Sequence, residues 1–171
     1  MIRSMVVFLM VFCIAVSFAF EKYGFNGQEE SGYGVWTSNP EDKALIATGS
    51  VVTTDKVGFS GGCFEFKYNL GSPDGGFAGF YIEFGSIDLS KYSQLVFWIK
   101  GDKKSGFSEK AVVNFSGGSQ FINITPNWQK IVIGLKGFTK KNAGSEFSLT
   151  FESGWATEKK GTVYIDEVTL K

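Results

Sequence analysis

No histidine occurs among the 171 residues, and arginine occurs once, at Arg3. Without histidine, the Ser-His-Asp and Cys-His mechanisms have no base, and the commonest zinc ligand is missing. Without a second arginine there is no guanidinium fork of the kind that grips phosphate or carboxylate through two parallel bonds. A ligand is therefore expected to be uncharged. Cysteine is scarce too, at Cys13 and Cys63 alone. Only one long apolar run exists, Met5 to Val16, about a dozen residues, which suits a signal h-region and is short for a membrane span.

Arg3 precedes that run, and Ser17-Phe18-Ala19 supplies the small-x-small pattern of a signal cleavage site. Residues 1–19 read as a signal peptide cut after Ala19, with an uncleaved anchor as the alternative. Phe12 stands before Cys13 where a lipoprotein signal needs a small residue, so Cys13 is not read as a lipid site. The remainder, 20–171, is one domain's worth of chain. With no domain expected beyond it, the reading is a secreted or periplasmic protein.

In that remainder sixteen Lys face seventeen Asp plus Glu. A balance this even does not point to nucleic acid or an anionic membrane. A single cysteine, Cys63, rules out an intramolecular disulfide and reads as a buried structural thiol.

Period-two runs are abundant. Phe80, Ile82 and Phe84 alternate with Gly79, Tyr81 and Glu83. Leu95, Phe97 and Ile99 alternate with Val96, Trp98 and Lys100. Further strand signals cover Ala44 to Thr53 (interrupted at Gly49-Ser50), Cys63 to Tyr68, Ala111 to Phe115, Gln120 to Ile124, Lys130 to Leu135, Phe147 to Glu152 and Thr162 to Leu170. Gly61-Gly62, Gly71 to Gly76, Gly117-Gly118 and Pro126-Asn127 break them. The one helical candidate is a turn at Ile87 to Tyr92, with Asp88 placed to cap it. Many short strands between frequent turns predict an all-β protein, a two-sheet antiparallel sandwich or a barrel.

Several of these segments form a familiar series. It comprises Phe25-Asn26-Gly27 with Gly34-Val35-Trp36, then Gly61 to Phe66, Gly76 to Tyr81 and Ile87 to Tyr92. Leu95 to Gly101, Trp128 to Ile133 and Val163 to Val168 complete it. The series resembles galactose-binding-like jelly rolls. It is similar to carbohydrate-binding modules of families 4, 11 and 22 and to the complex-I intermediate-associated domain. The resemblance implies a jelly-roll sandwich (galactose-binding-domain-like). It also implies a structural calcium joining the first strand to the last, near Asn26 and Asp166, with Glu21 as a substitute acid. Asp166 as a solvated or turn-bonded acid is the alternative.

A neutral sugar offers an apolar C–H face to aromatic rings and a rim of hydroxyls to polar groups. Tyr81 and Trp98, expected on matching sides of neighbouring strands, are the stacking candidates. Glu83 and Lys100 share those sides as hydroxyl partners, and Tyr33, Trp36 and Trp155 are edge candidates. Each ring has packing in the core as its ordinary alternative, and Trp128 is read as packing. The Gly101 to Lys110 loop reads as solvated.

The expected function is a non-catalytic module binding a neutral polysaccharide or oligosaccharide on one sheet face. An envelope assembly protein, using the same sandwich to hold a protein partner, is the alternative. A hydrolase needs two carboxylates flanking one bond. Glu65 and Glu83 are the pair available, and nothing in the sequence joins them. The sequons at Asn114 and Asn123 read as chance.

Overall fold

The computed structural model describes residues 21–23, 32–57, 61–85, 88–135 and 146–171. Eleven strands follow in order: β1 Glu21–Tyr23, β2 Tyr33–Thr37, β3 Leu45–Val52, β4 Cys63–Leu70, β5 Phe77–Glu83 and β6 Gln94–Gly101. Then come β7 Lys110–Phe115, β8 Gly118–Asn123, β9 Gln129–Gly134, β10 Glu146–Glu152 and β11 Lys160–Leu170. They make two antiparallel sheets. One has the order β3-β4-β11-β6-β9 with β1 added on β11, and the other β2-β5-β10-β7-β8. Among the described residues no helix is long and apolar enough to cross a membrane.

The alternation seen in the sequence is the alternation of burial. Phe80 and Ile82 on β5, Phe147, Leu149 and Phe151 on β10, and Phe97 and Ile99 on β6 are fully buried between the sheets. Phe147 joins the two layers, its ring 5.0 Å from Phe97 of the facing sheet and 6.2 Å from Phe80 of its own. Rings at this separation in tilted or edge-on pairs add to the area they bury.

Two expectations need amendment. Gly49-Ser50 does not interrupt β3, which pairs with β4 throughout. A Cβ on Gly49 would lie 2.2 Å from Phe64 Cζ, so the glycine makes room for a core ring. Second, β5 and β6 are not neighbours, because the chain changes sheets between them. The expected turn is there, a 3-10 turn at Leu89–Lys91 whose cap Asp88 accepts from the Ser90 amide at 3.1 Å.

β11 carries an irregularity between Asp166 and Thr169, with Glu167 at φ 51. A bulge of this kind inserts residues without losing the inward face, and Val168 and Leu170 return to the core. Cys63 is free and fully buried. Burial pushes its thiol up to about 12, with the charges of Asp166 and Asp55 adding. Burial likewise raises the Tyr68 and Tyr164 phenols to about 12.

These three groups titrate first in the unfolded chain, from about pH 9 for the thiol and pH 10 for the phenols. The folded state holds its protons longer, so their contribution is whole below pH 9 and is lost as pH climbs toward 12. The melting temperature is expected to fall across that window, and Cys63 should resist thiol reagents until the protein unfolds. Rapid labelling of the folded protein at neutral pH would contradict this account.

Candidate functional site

The outward side of the five-stranded sheet is a built surface. Its pairing sets out two rungs that cross all five strands. In the first, Trp36 on β2 stands opposite Gly79 on β5, then come Thr150 on β10, Val112 on β7 and Phe121 on β8. In the second, Gly34 stands opposite Tyr81, followed by Ser148, Asn114 and Ser119. Five strands at about 4.8 Å spacing make each rung roughly 19 Å long.

Glycine positions the two aromatic rings at the β2 end. A Cβ on Gly79 would lie 2.5–2.7 Å from three atoms of the Trp36 indole. A Cβ on Gly34 would lie 2.9–3.0 Å from Cε1, Cζ and the hydroxyl oxygen of Tyr81. Each side chain therefore lies over the glycine of its cross-strand partner, and both remain half-buried. At the far end Phe121 is 60% exposed and meets Trp155 edge-on at 5.4 Å. Trp155 is fixed by its indole N–H, which donates to Glu152 Oε2 at 2.8 Å. Aromatics thus stand at both ends of the face.

Polar groups fill the middle. Asn114 Nδ2 donates to Thr150 Oγ1 at 3.1 Å and, at 3.5 Å, to Ser148 Oγ, while Ser119 Oγ donates to Asn114 Oδ1 at 2.7 Å. Glu83 and Glu146 stand opposite each other beyond the second rung, both exposed.

The sequence candidates divide between the sheets. Trp36, Tyr81, Glu83 and Trp155 belong to this face. Trp98 and Lys100 do not: they lie on β6, outward on the six-stranded sheet, so Tyr81 and Trp98 are separated by the whole sandwich. Lys100 is already engaged, its Nζ 4.9 Å from the Tyr164 ring, 5.4 Å from the Trp128 ring and ion-paired with Asp55. Tyr33 points inward, edge-on to Phe64 at 5.5 Å. Glu65 sits on β4 of the other sheet from Glu83, bonded to Lys67 and Tyr164, so the two do not flank one bond.

Asp166 is buried, and its carboxylate accepts from the Val57 amide at 2.9 Å and the Glu167 amide at 2.7 Å. The register places Glu21 opposite Leu170, four residues along β11 from Asp166, roughly 13 Å away. Asn26 and the Glu21 side chain lie outside the described residues. Among those described, no group of three His, Cys, Asp or Glu could hold a metal, and calcium prefers six to eight oxygens.

Phe121 and Asn114 were legible by the rule that singled out Tyr81. Ile122 and Ile124 supply the inward set on and beyond β8, leaving Phe121 outward. Ala111, Val113 and Phe115 do the same for Asn114. Ser148, Thr150 and Glu152 follow from Phe147, Leu149 and Phe151.

The profile of one family, Carbohydrate binding domain 30, matches residues 23–171. The chain belongs to that family of carbohydrate-binding domains. Solved structures agree on the jelly-roll sandwich. The family 11 carbohydrate-binding module of the cellulosomal cellulase Lic26A-Cel5E of Clostridium thermocellum is 17% identical with a TM-score of 0.58, over 89% of this chain and 95% of that one. A family 11 module from Clostridium thermocellum in complex with a β-1,3-1,4-mixed-linked tetrasaccharide is 16% identical with a TM-score of 0.59, over 88% and 94%. The CBM27-1 module of Caldicellulosiruptor saccharolyticus in complex with mannohexaose is 17% identical with a TM-score of 0.53, over 88% and 97%. No curated protein matches. At these identities the structures establish the fold for the carbohydrate-binding domain, and the ligand is argued from its own surface.

Proposed function

We propose that this domain is an exported, non-catalytic module that binds a neutral polysaccharide across the outer face of the five-stranded sheet. The observation that carries the proposal is the pair of rungs. Rings at both ends offer flat apolar surface to sugar C–H faces, and an amide, hydroxyls and carboxylates between and beside them offer partners to sugar hydroxyls. Trp36, Tyr81, Phe121 and Trp155 supply the rings. Glu83, Glu146 and Glu152 accept from hydroxyl donors at the rim. Among the described residues, three carboxylates beside one lysine, Lys110, give a face that disfavours polyanions.

The mixed-linked tetrasaccharide and the mannohexaose held by the similar modules indicate the class of ligand. Among the described residues Glu83 and Glu146 are both exposed on the sheet surface, which supports binding without chemistry. A structural calcium at Asp166 remains part of the reading, with the residues around Asn26 as its other ligands. Export through a leader ending at Ala19 accords with a polysaccharide outside the cytoplasm.

The test is gel retardation and depletion of residues 20–171 against soluble and insoluble glucans, xylans and mannans, with and without calcium. A uronic-acid polymer and a reducing-sugar assay run alongside. Retention on a neutral polymer, weaker retention on the polyanion and no sugar release are expected. Folded protein retained on nothing would end the proposal, and sugar release would end its non-catalytic part.

A further inference from the structure

Ser148 and Thr150 face outward yet are only 6% and 8% exposed. Each hydroxyl has one lone pair taken by Asn114 Nδ2, at 3.5 Å and 3.1 Å. Neither O–H finds an acceptor among the described residues. A buried donor left without an acceptor is costly, and here two lie side by side on the face proposed to bind ligand. Asn114 is the cause. It spends its amide hydrogens on these two oxygens and takes the Ser119 hydroxyl on Oδ1 at 2.7 Å. The Ser148 and Thr150 hydrogens are thereby turned away from Asn114.

We infer that Asn114 is a positioning residue that makes the centre of the face a donor site, with Ser148 and Thr150 presenting O–H groups to oxygen lone pairs of the ligand. This rests on the proposed binding face. Every oxygen of a neutral polysaccharide, hydroxyl or ether, can accept such a bond, and the ring and bridging ethers can only accept. The acceptors for hydroxyls sit elsewhere, on Glu83, Glu146 and Glu152 at the rim. The centre thus offers donors to the sugar chain, and the rim offers acceptors to its hydroxyls.

Asn114→Asp tests the inference, because it keeps the shape and exchanges donors for acceptors. Ser148 and Thr150 then turn their hydrogens inward. Affinity for the β-1,3-1,4-mixed-linked tetrasaccharide and mannohexaose, measured by calorimetry, is expected to fall at least tenfold at neutral pH for whichever binds. Asn114→Ala, which frees both hydroxyls, should lose less. As pH falls toward the ordinary aspartate value of about 3.9 the new carboxyl regains a proton to donate, and N114D should recover relative to the unchanged protein. Among the described residues, the other titratable groups facing outward on this sheet are Tyr81 and Glu83 on β5, Glu146 and Glu152 on β10, and Lys110 on β7. The unchanged protein is therefore measured at each pH.

Melting curves establish that each variant is folded. N114D binding as tightly as the unchanged protein, or losing no more than N114A with no recovery at low pH, would overturn the inference. If the unchanged protein is retained by no neutral polysaccharide of the panel, or W36A binds as well as it does, the face itself is wrong and the inference falls with it; if it binds only another polymer of the panel, an oligosaccharide of that polymer replaces the two sugars. Weakened W36A beside unaffected N114D defeats the inference alone.

Discussion

Replacing Trp36 with alanine is expected to weaken polysaccharide binding by roughly thirtyfold, about 2 kcal/mol, with a small change in melting temperature. The indole lies across Gly79 on the outward side of the sheet, so its removal uncovers a glycine and opens no cavity between the layers. In the proposed function the rings at the ends of the face carry the apolar part of sugar binding, and hot spots are enriched in tryptophan. Calorimetry with the retained polysaccharide and a thermal melt of the same sample check both halves. Unchanged affinity would move the platform elsewhere. A collapsed melt would make Trp36 a packing residue.

Phe147→Ala is expected to remove about 4 kcal/mol of stability, and with it roughly 10 °C of melting temperature for a domain of this size. Phe147 is fully buried and touches aromatic rings of both sheets. A close-packed core relaxes only partly around such a void, which is why truncation in aromatic cores costs more than transfer alone. Because domains of this kind hold only about 5–15 kcal/mol in total, the variant should unfold within an ordinary denaturant titration at a clearly lower midpoint. A loss under 1 kcal/mol would mean the two sheets are held together elsewhere.

The strand positions were readable because period two survives wherever one side of a strand is buried. Phe80 and Ile82, or Leu149 and Phe151, announce their own inward face and so assign Tyr81 or Thr150 to the outside. What alternation does not carry is which strand lies beside which. Tyr81 and Trp98 have the same parity and close sequence positions, yet the chain crosses from one sheet to the other between them. Sheet crossing depends on the whole topology, and a run of ten connecting residues is compatible with a hairpin or a crossover.

The same limit misplaced Lys100, whose charge is absorbed by two rings and Asp55 brought together from distant segments. Tyr33 failed for a different reason. A glycine-rich stretch hides its parity, and only the pairing with Ile82 shows that it turns inward. Asn114 looked like a chance sequon because a local motif says nothing of the Ser148 and Thr150 hydroxyls brought to it from β10.

The chain has four tryptophans, and the fold divides them, Trp36 and Trp155 toward the five-stranded face and Trp98 and Trp128 toward the six-stranded one. Their four indole N–H resonances in a nitrogen-labelled sample give a direct reading of which face meets sugar. On titration with an oligosaccharide of the retained polysaccharide, the Trp36 and Trp155 resonances are expected to shift while those of Trp98 and Trp128 stay in place. The reverse pattern, with Trp98 and Trp128 moving and the other two still, would contradict the account and put the ligand on the opposite sheet.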